Sequence, residues 1–73
     1  MKNIAVLPNR QKTRAAAAAA DAVRFLRRCG LRVLAETEHR DIVDADEYRS
    51  IADGLFAACD AAVVVGGAGP LLR

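Results

Sequence analysis

Aromatic side chains are almost missing from this sequence: Phe25, Tyr48 and Phe56 are the three, and there is no tryptophan. Any core must therefore be built from Ala, Val, Leu and Ile. With so few aromatics to stack on bases, nucleic acid is not an expected partner. Cysteine is scarce as well. Cys29 and Cys59 exclude a disulfide-dense secreted scaffold, and their spacing excludes a CxxC motif. No apolar run approaches the roughly 18 residues of a membrane span. The longest, Ala15 to Ala20 and Ala61 to Val65, fall far short. Lys2 precedes only Ile4 to Leu7 before Pro8 closes the run, too little for the apolar region of a secretory signal. The expectation is a cytoplasmic chain with reduced cysteines and no membrane contact.

What remains is 73 residues, 53% apolar and 27% charged, which reads as one small globular domain over 1–73. A chain of this size buries roughly 60% of its unfolded surface, so its stability is marginal. The net charge of +2 hides an asymmetry. Residues 1–34 carry eight basic groups and one acid; residues 35–73 carry three basic groups and eight acids. The first half is thus suited to polyanions such as nucleotide phosphates, or to a solvated helix face balanced by acidic loops.

Ile4 to Leu7 is a short continuous apolar run ended by Pro8 and Asn9, the pattern of a strand buried on both faces. Thr13 is placed to cap a helix over Arg14 to Cys29, where six consecutive alanines have the highest helix propensity. A helical wheel puts Ala15, Ala18, Ala19, Ala22, Phe25, Leu26 and Cys29 on one arc. Gly30 follows at the position where helices end in a left-handed residue. Leu31 to Ala35 reads as a second strand and Glu36 to Asp46 as an acidic loop. Asp44 or Asp46 is placed to cap a second helix, with Glu47 at capping-box spacing from Asp44. In that helix Tyr48, Ile51, Ala52, Leu55, Phe56 and Cys59 form the apolar face, with Gly54 as a weak point. Ala61 to Val65 is a third, β-branched strand. The order β-α-β-α-β predicts an α/β fold: a Rossmann-like parallel three-stranded half-domain with right-handed crossovers.

Ligands of open parallel sheets bind beyond the carboxyl ends of the strands. Two segments fall there: Pro8 to Lys12, and Gly66-Gly67-Ala68-Gly69-Pro70. A glycine-rich turn after a buried strand suits a tight strand-to-helix connection. It equally suits a phosphate approaching bare main chain, with Arg10 and Lys12 beside it. The turn fits neither GxGxxG, since Leu72 stands where the last glycine belongs, nor the P-loop, which requires Gly-Lys-Ser/Thr. Elsewhere the bland readings are preferred. His39 reads as a solvated side chain, Cys29 and Cys59 as small buried hydrophobes, and Tyr48 and Phe56 as core. Arg24, Arg27, Arg28 and Arg32 read as a solvated face. Asp41, Asp44, Asp46 and Glu47 read as capping and solvated residues without the spacing of a calcium loop.

Ile4-Ala5-Val6-Leu7-Pro8-Asn9-Arg10-Gln11-Lys12 and Val63-Val64-Val65-Gly66-Gly67-Ala68-Gly69-Pro70-Leu71-Leu72-Arg73 together resemble the N-terminal part of bacterial ATP-dependent NAD kinases. The family's diagnostic motif is Gly-Gly-Asp-Gly-Thr, often followed by Leu-Leu-Arg. The resemblance implies phosphoryl transfer from ATP to the ribose 2′-hydroxyl of NAD, with a divalent metal such as magnesium on the phosphates. It implies nucleotide contacts at Gly66, Gly67, Gly69, Arg73, Asn9 and Arg10. The family's general-base position is Ala68 here, and its threonine is Pro70. A methyl group accepts no proton, so the implied catalytic set is empty and this chain alone is expected to be inactive. The family's C-terminal domain has no counterpart in these residues. The chain thus reads as a truncated copy or half of a split protein. Its expected partners are a nucleotide (ATP or NAD) and either a second copy or a complementary chain.

Overall fold

The computed structural model describes residues 2–11 and 13–65. Six elements follow in order: β1 (Asn3–Pro8), α1 (Ala15–Arg28), β2 (Arg32–Ala35), a 3-10 turn (Thr37–His39), β3 (Glu47–Tyr48) and β4 (Ala61–Val65). The four strands form one sheet in the order β3-β2-β1-β4, and every neighbouring pair is parallel. The α/β class and the parallel sheet are as the sequence predicts. Among the described residues there are four strands instead of three and one α-helix instead of two.

The central strand is β1. Ile4 pairs with Val33 on one side and with Ala61 on the other. Ile4, Ala5 and Val6 are all buried, which is why the sequence here is an unbroken apolar run. Pro8 ends the strand where its missing N–H does least harm. The Asn9 amide donates to the Val65 carbonyl on the β4 side. By alternation the nitrogen of Pro8 points toward β2, whose pairing with β1 has already ended at Ala5 and Leu34.

Helix α1 lies on one face of this sheet. Its buried stripe is Ala15, Ala19, Val23 and Leu26, the last three packed with Ile4, Val6, Val33 and Ala35. The stripe is turned toward Val23 relative to the predicted arc. Phe25 consequently stands 63% exposed, and Cys29 is exposed too, contrary to expectation. Alanine at 15 and 19 lets the helix axis sit close to the strands, and a close helix buries a narrow stripe. The predicted Thr13 cap is not made: Arg14 occupies the N-cap position, without a side-chain cap bond. The C-terminus ends as expected. Gly30 adopts φ +79°, its amide donates to the Arg27 carbonyl, and the Leu31 amide donates to that of Leu26. This is the Schellman pattern.

The second helix does not form. Gly54 takes φ +90°, and its amide and that of Leu55 close a turn back onto Ile51 and Ser50. A new turn then runs to Cys59, whose amide donates to Phe56. The left-handed glycine splits the apolar periodicity into two single turns. Leu55 is fully buried between them, while Ile51 and Phe56 stay about half-exposed. Tyr48 belongs to β3 instead. Its hydroxyl donates to the Val43 carbonyl at 2.6 Å and accepts from the Ala45 amide at 3.1 Å. Asp46 caps no helix: its Oδ2 accepts from the Val33 amide at 2.9 Å and its own amide donates to the Val33 carbonyl. Glu47, the other half of the expected capping box, binds Arg32 and Arg49 across β2 and β3.

Gly30→Ala should destabilise the domain by about 1 kcal/mol, the cost of a left-handed L-residue. The added Cβ would touch nothing within 4 Å, so the cost is backbone strain alone. Urea unfolding checks this: the midpoint should fall with an unchanged slope, and Gly30→Asn should recover part of the loss.

Candidate functional site

Strand succession changes direction at β1. From β1 the chain moves outward through β2 to β3, then returns to the other side of β1 as β4. In open parallel sheets such a reversal is where ligands bind, beyond the carboxyl ends of the two adjacent strands. Here those strands are β1 and β4, paired through Pro8 and Val65 at their ends. Asn9 sits at the lip. Its amide reaches Val65 at 3.0 Å, and its Oδ1 accepts from the Gln11 amide at 3.1 Å, tightening the loop. Of the other sequence-predicted contacts, Gly66, Gly67, Gly69 and Arg73 lie outside the described residues. So do Lys12 and the Ala68 and Pro70 positions.

Arg10 follows Asn9 and is exposed. Its guanidinium forks onto Asp41, with NH1 and NH2 each 2.9 Å from a carboxylate oxygen. Asp41 lies just past the 3-10 turn that follows β2. Parallel neighbours send their following loops to the same edge, and that is what brings the two residues together. The hydrogen bonds from Arg10 hold the Asp41 carboxyl below its ordinary value, and Asp41 in turn raises the already high value of Arg10. A shallow cavity of about 190 Å³ adjoins Arg10, lined also by Thr13, Ala15, Ala16 and Ile42. Its floor is the start of α1, where the first turn has no side-chain cap and no acidic residue. The free amides of that turn and the Arg10 charge give the spot a positive potential.

His39 is not solvated as the sequence suggests: it is only 8% exposed. Its Nδ1 lies 3.5 Å from Arg10 NH1, and its Nε2 lies 3.4 Å from a Glu36 oxygen and 3.9 Å from one of Glu38. Glu36, Glu38 and His39 bring three ligating atoms within 4.8 Å, the one such group among the described residues. They do not fit magnesium. That ion demands an octahedron of oxygens, whereas this set offers a ring nitrogen. Asp41, the remaining carboxylate on this edge, is taken by Arg10. Neither cysteine supplies a ready nucleophile here. Burial raises the Cys59 thiol above its ordinary value, and Cys29 lies at the far end of α1.

The predicted solvated arginine face is largely paired. Arg27 reaches the Asp44 carbonyl at 2.9 Å and a carboxylate oxygen of Asp46 at 3.3 Å; Arg32 binds Glu47, and Arg24 binds Asp21. The sequence signal that was missed is positional. Arg10 and Asp41 follow adjacent strands of one sheet, so opposite charges in those loops meet. No helix among the described residues is long and apolar enough to cross a membrane. Comparison of the chain with protein-family models, characterised proteins and solved structures finds no match.

The arginine-bound carboxylates set an acid limit. Arg10 lowers Asp41 from 3.8, and Arg49, with Arg32 in support, lowers Glu47 from 4.5. A depressed carboxyl contributes stability above its unfolded value and loses it as pH falls through the folded one. The urea midpoint should thus hold from pH 7 to about 5 and fall below about 4. The double variant Asp41→Asn, Glu47→Gln should show a shallower acid fall. An equally steep fall would show that these two pairs contribute nothing.

Proposed function

We propose that this chain is a cytoplasmic nucleotide-binding module of the NAD kinase kind, Rossmann-like in design, that performs no phosphoryl transfer by itself. The observation that carries the reading is the strand reversal at β1. The Asn9 loop and the end of β4 lie side by side there, and the Gly66-Gly67-Ala68-Gly69-Pro70 segment follows β4 directly in sequence. The order β3-β2-β1-β4 matches the first four strands of the dinucleotide-binding order 3-2-1-4-5-6, in which phosphates bind at the reversal. Arg10 and the uncapped start of α1 add positive potential on the same edge.

The chemistry of the residues argues against turnover. Phosphoryl transfer is mostly positioning and charge neutralisation, with a carboxylate to take the proton of the attacking hydroxyl. The motif position for that carboxylate is Ala68. In the unliganded chain Asp41 does not stand in for it, since Arg10 engages both its oxygens and lowers its proton affinity. Divalent metal is expected only as the partner of ATP phosphates. NAD and ATP are ligands in this reading, not reactants.

A second reading is a subunit-contact module, and a specific feature favours it. Parallel sheets are normally covered on both faces. Here Val64 of the outer strand β4 stands 68% exposed, on the face opposite α1. A second copy or a complementary chain laid on this face would cover it.

The test is direct. The purified chain with ATP, NAD and magnesium should form no NADP, yet should retain ATP or NAD in equilibrium dialysis. NADP formation would refute the inactive reading, and no retention of either nucleotide would refute the binding one. Sedimentation of the same sample separates the second reading: a monomer at all concentrations removes the second copy as the cover.

A further inference from the structure

The cation at the carboxyl edge is already occupied by an internal anion. Arg10 is the charged side chain that lines the cavity at the start of α1, and both its terminal nitrogens are bound to Asp41. The pair joins the loop after β1 to the segment after β2. It lies on the β2 side of β1, beside the cavity that Arg10 and Ile42 both line. Both partners are well exposed, at 46% and 59% of the side chain, so water screens their attraction and a stronger anion can replace it. A phosphate is such an anion. It carries more charge than a carboxylate, and it accepts the same two-pronged guanidinium fork. The first turn of α1 holds no acid to repel it.

We propose that Asp41 is a built-in competitor for the ligand's phosphate: it holds the Arg10 fork in the unliganded chain and yields it when a nucleotide binds. This rests on the nucleotide-binding reading above. It assigns Asp41 the role of setting phosphate affinity. Part of the unliganded population has Arg10 engaged, and the apparent affinity falls by the fraction left competent. His39 lies against the same guanidinium and limits where the fork can go, its Nδ1 standing 3.5 Å from NH1. Glu36 and Glu38, on the other side of the ring, keep phosphate away from that flank. The route left to Arg10 is toward the cavity floored by Ala15 and Ala16.

The probes are inorganic pyrophosphate and ATP, titrated into the full chain. Asp41→Asn should bind both about 2- to 5-fold tighter than the unaltered chain, the ratio an exposed ion pair represents. Asp44→Asn removes an equal charge from a residue that pairs with Arg27, and should leave affinity unchanged. In an Arg10→Gln background the Asp41→Asn gain should vanish. An equal gain from Asp44→Asn, or a gain that survives Arg10→Gln, would mean a general field effect and overturn the competitor role. Should Asp41→Asn fail to fold, the unaltered chain gives the answer. Saturating pyrophosphate should return the Asp41 carboxyl, followed by carbon NMR, toward its ordinary titration range; no change overturns the proposal. Binding by the unaltered chain without these responses removes only the competitor. Absence of binding in every variant removes the nucleotide reading and the competitor with it.

Discussion

Everything in this small domain depends on keeping β1 hydrogen-bonded along both edges and buried on both faces. A buried strand cannot leave its amides and carbonyls to water, so β2 and β4 must flank it. β2 is reached through α1, and β4 only after the chain has gone out to β3 and returned. The reversal of strand succession at β1 follows from that path. The same constraint explains the alanine run. A helix that must cover a sheet of a few short strands with few large side chains gains most by lying close, and Ala15 and Ala19 permit it.

Charge organises the outside in a comparable way. The basic first part and acidic second part of the sequence are not left to face separate partners. They meet in pairs across the fold: Arg10 with Asp41, Arg27 with Asp44 and Asp46, Arg32 with Glu47. Each pair joins a segment before Leu34 to the β2–β3 connection or to β3. Together they fasten a long, polar connection that has few apolar side chains to bury apart from Val43, Ile42, Ala45 and Tyr48. Tyr48 reinforces it from within, through its hydroxyl on Val43 and Ala45 and its ring beneath Arg40.

The readable parts of the sequence were those governed by local rules. β1, α1 and its glycine stop, β2 and β4 all announce themselves by apolar runs, propensity or a left-handed residue. The unreadable parts were set by tertiary contacts. β3 has two residues, one of them a glutamate, and exists only because Leu34 and Ala35 offer it an edge. The second helix looked sound by spacing, but the positive φ of Gly54 divides it into turns. His39 looked solvated because its neighbours are acidic, yet it is enclosed by Arg10, Glu36 and Glu38. At the site, Asn9 and Arg10 were legible from their position after β1. Asp41 was not, because its role comes from a parallel neighbour 31 residues away.

A nucleotide is expected at the carboxyl edge, where strand succession reverses at β1. A two-dimensional amide NMR spectrum, recorded with and without ATP, tests that location most directly. The account predicts ligand-induced shifts at Asn9, Arg10, Ala15, Ala16 and the Gly66–Gly69 segment, with the opposite edge around Lys2, Leu31 and Asp60 unmoved. Shifts centred on that opposite edge, or a spectrum indifferent to ATP, would contradict it.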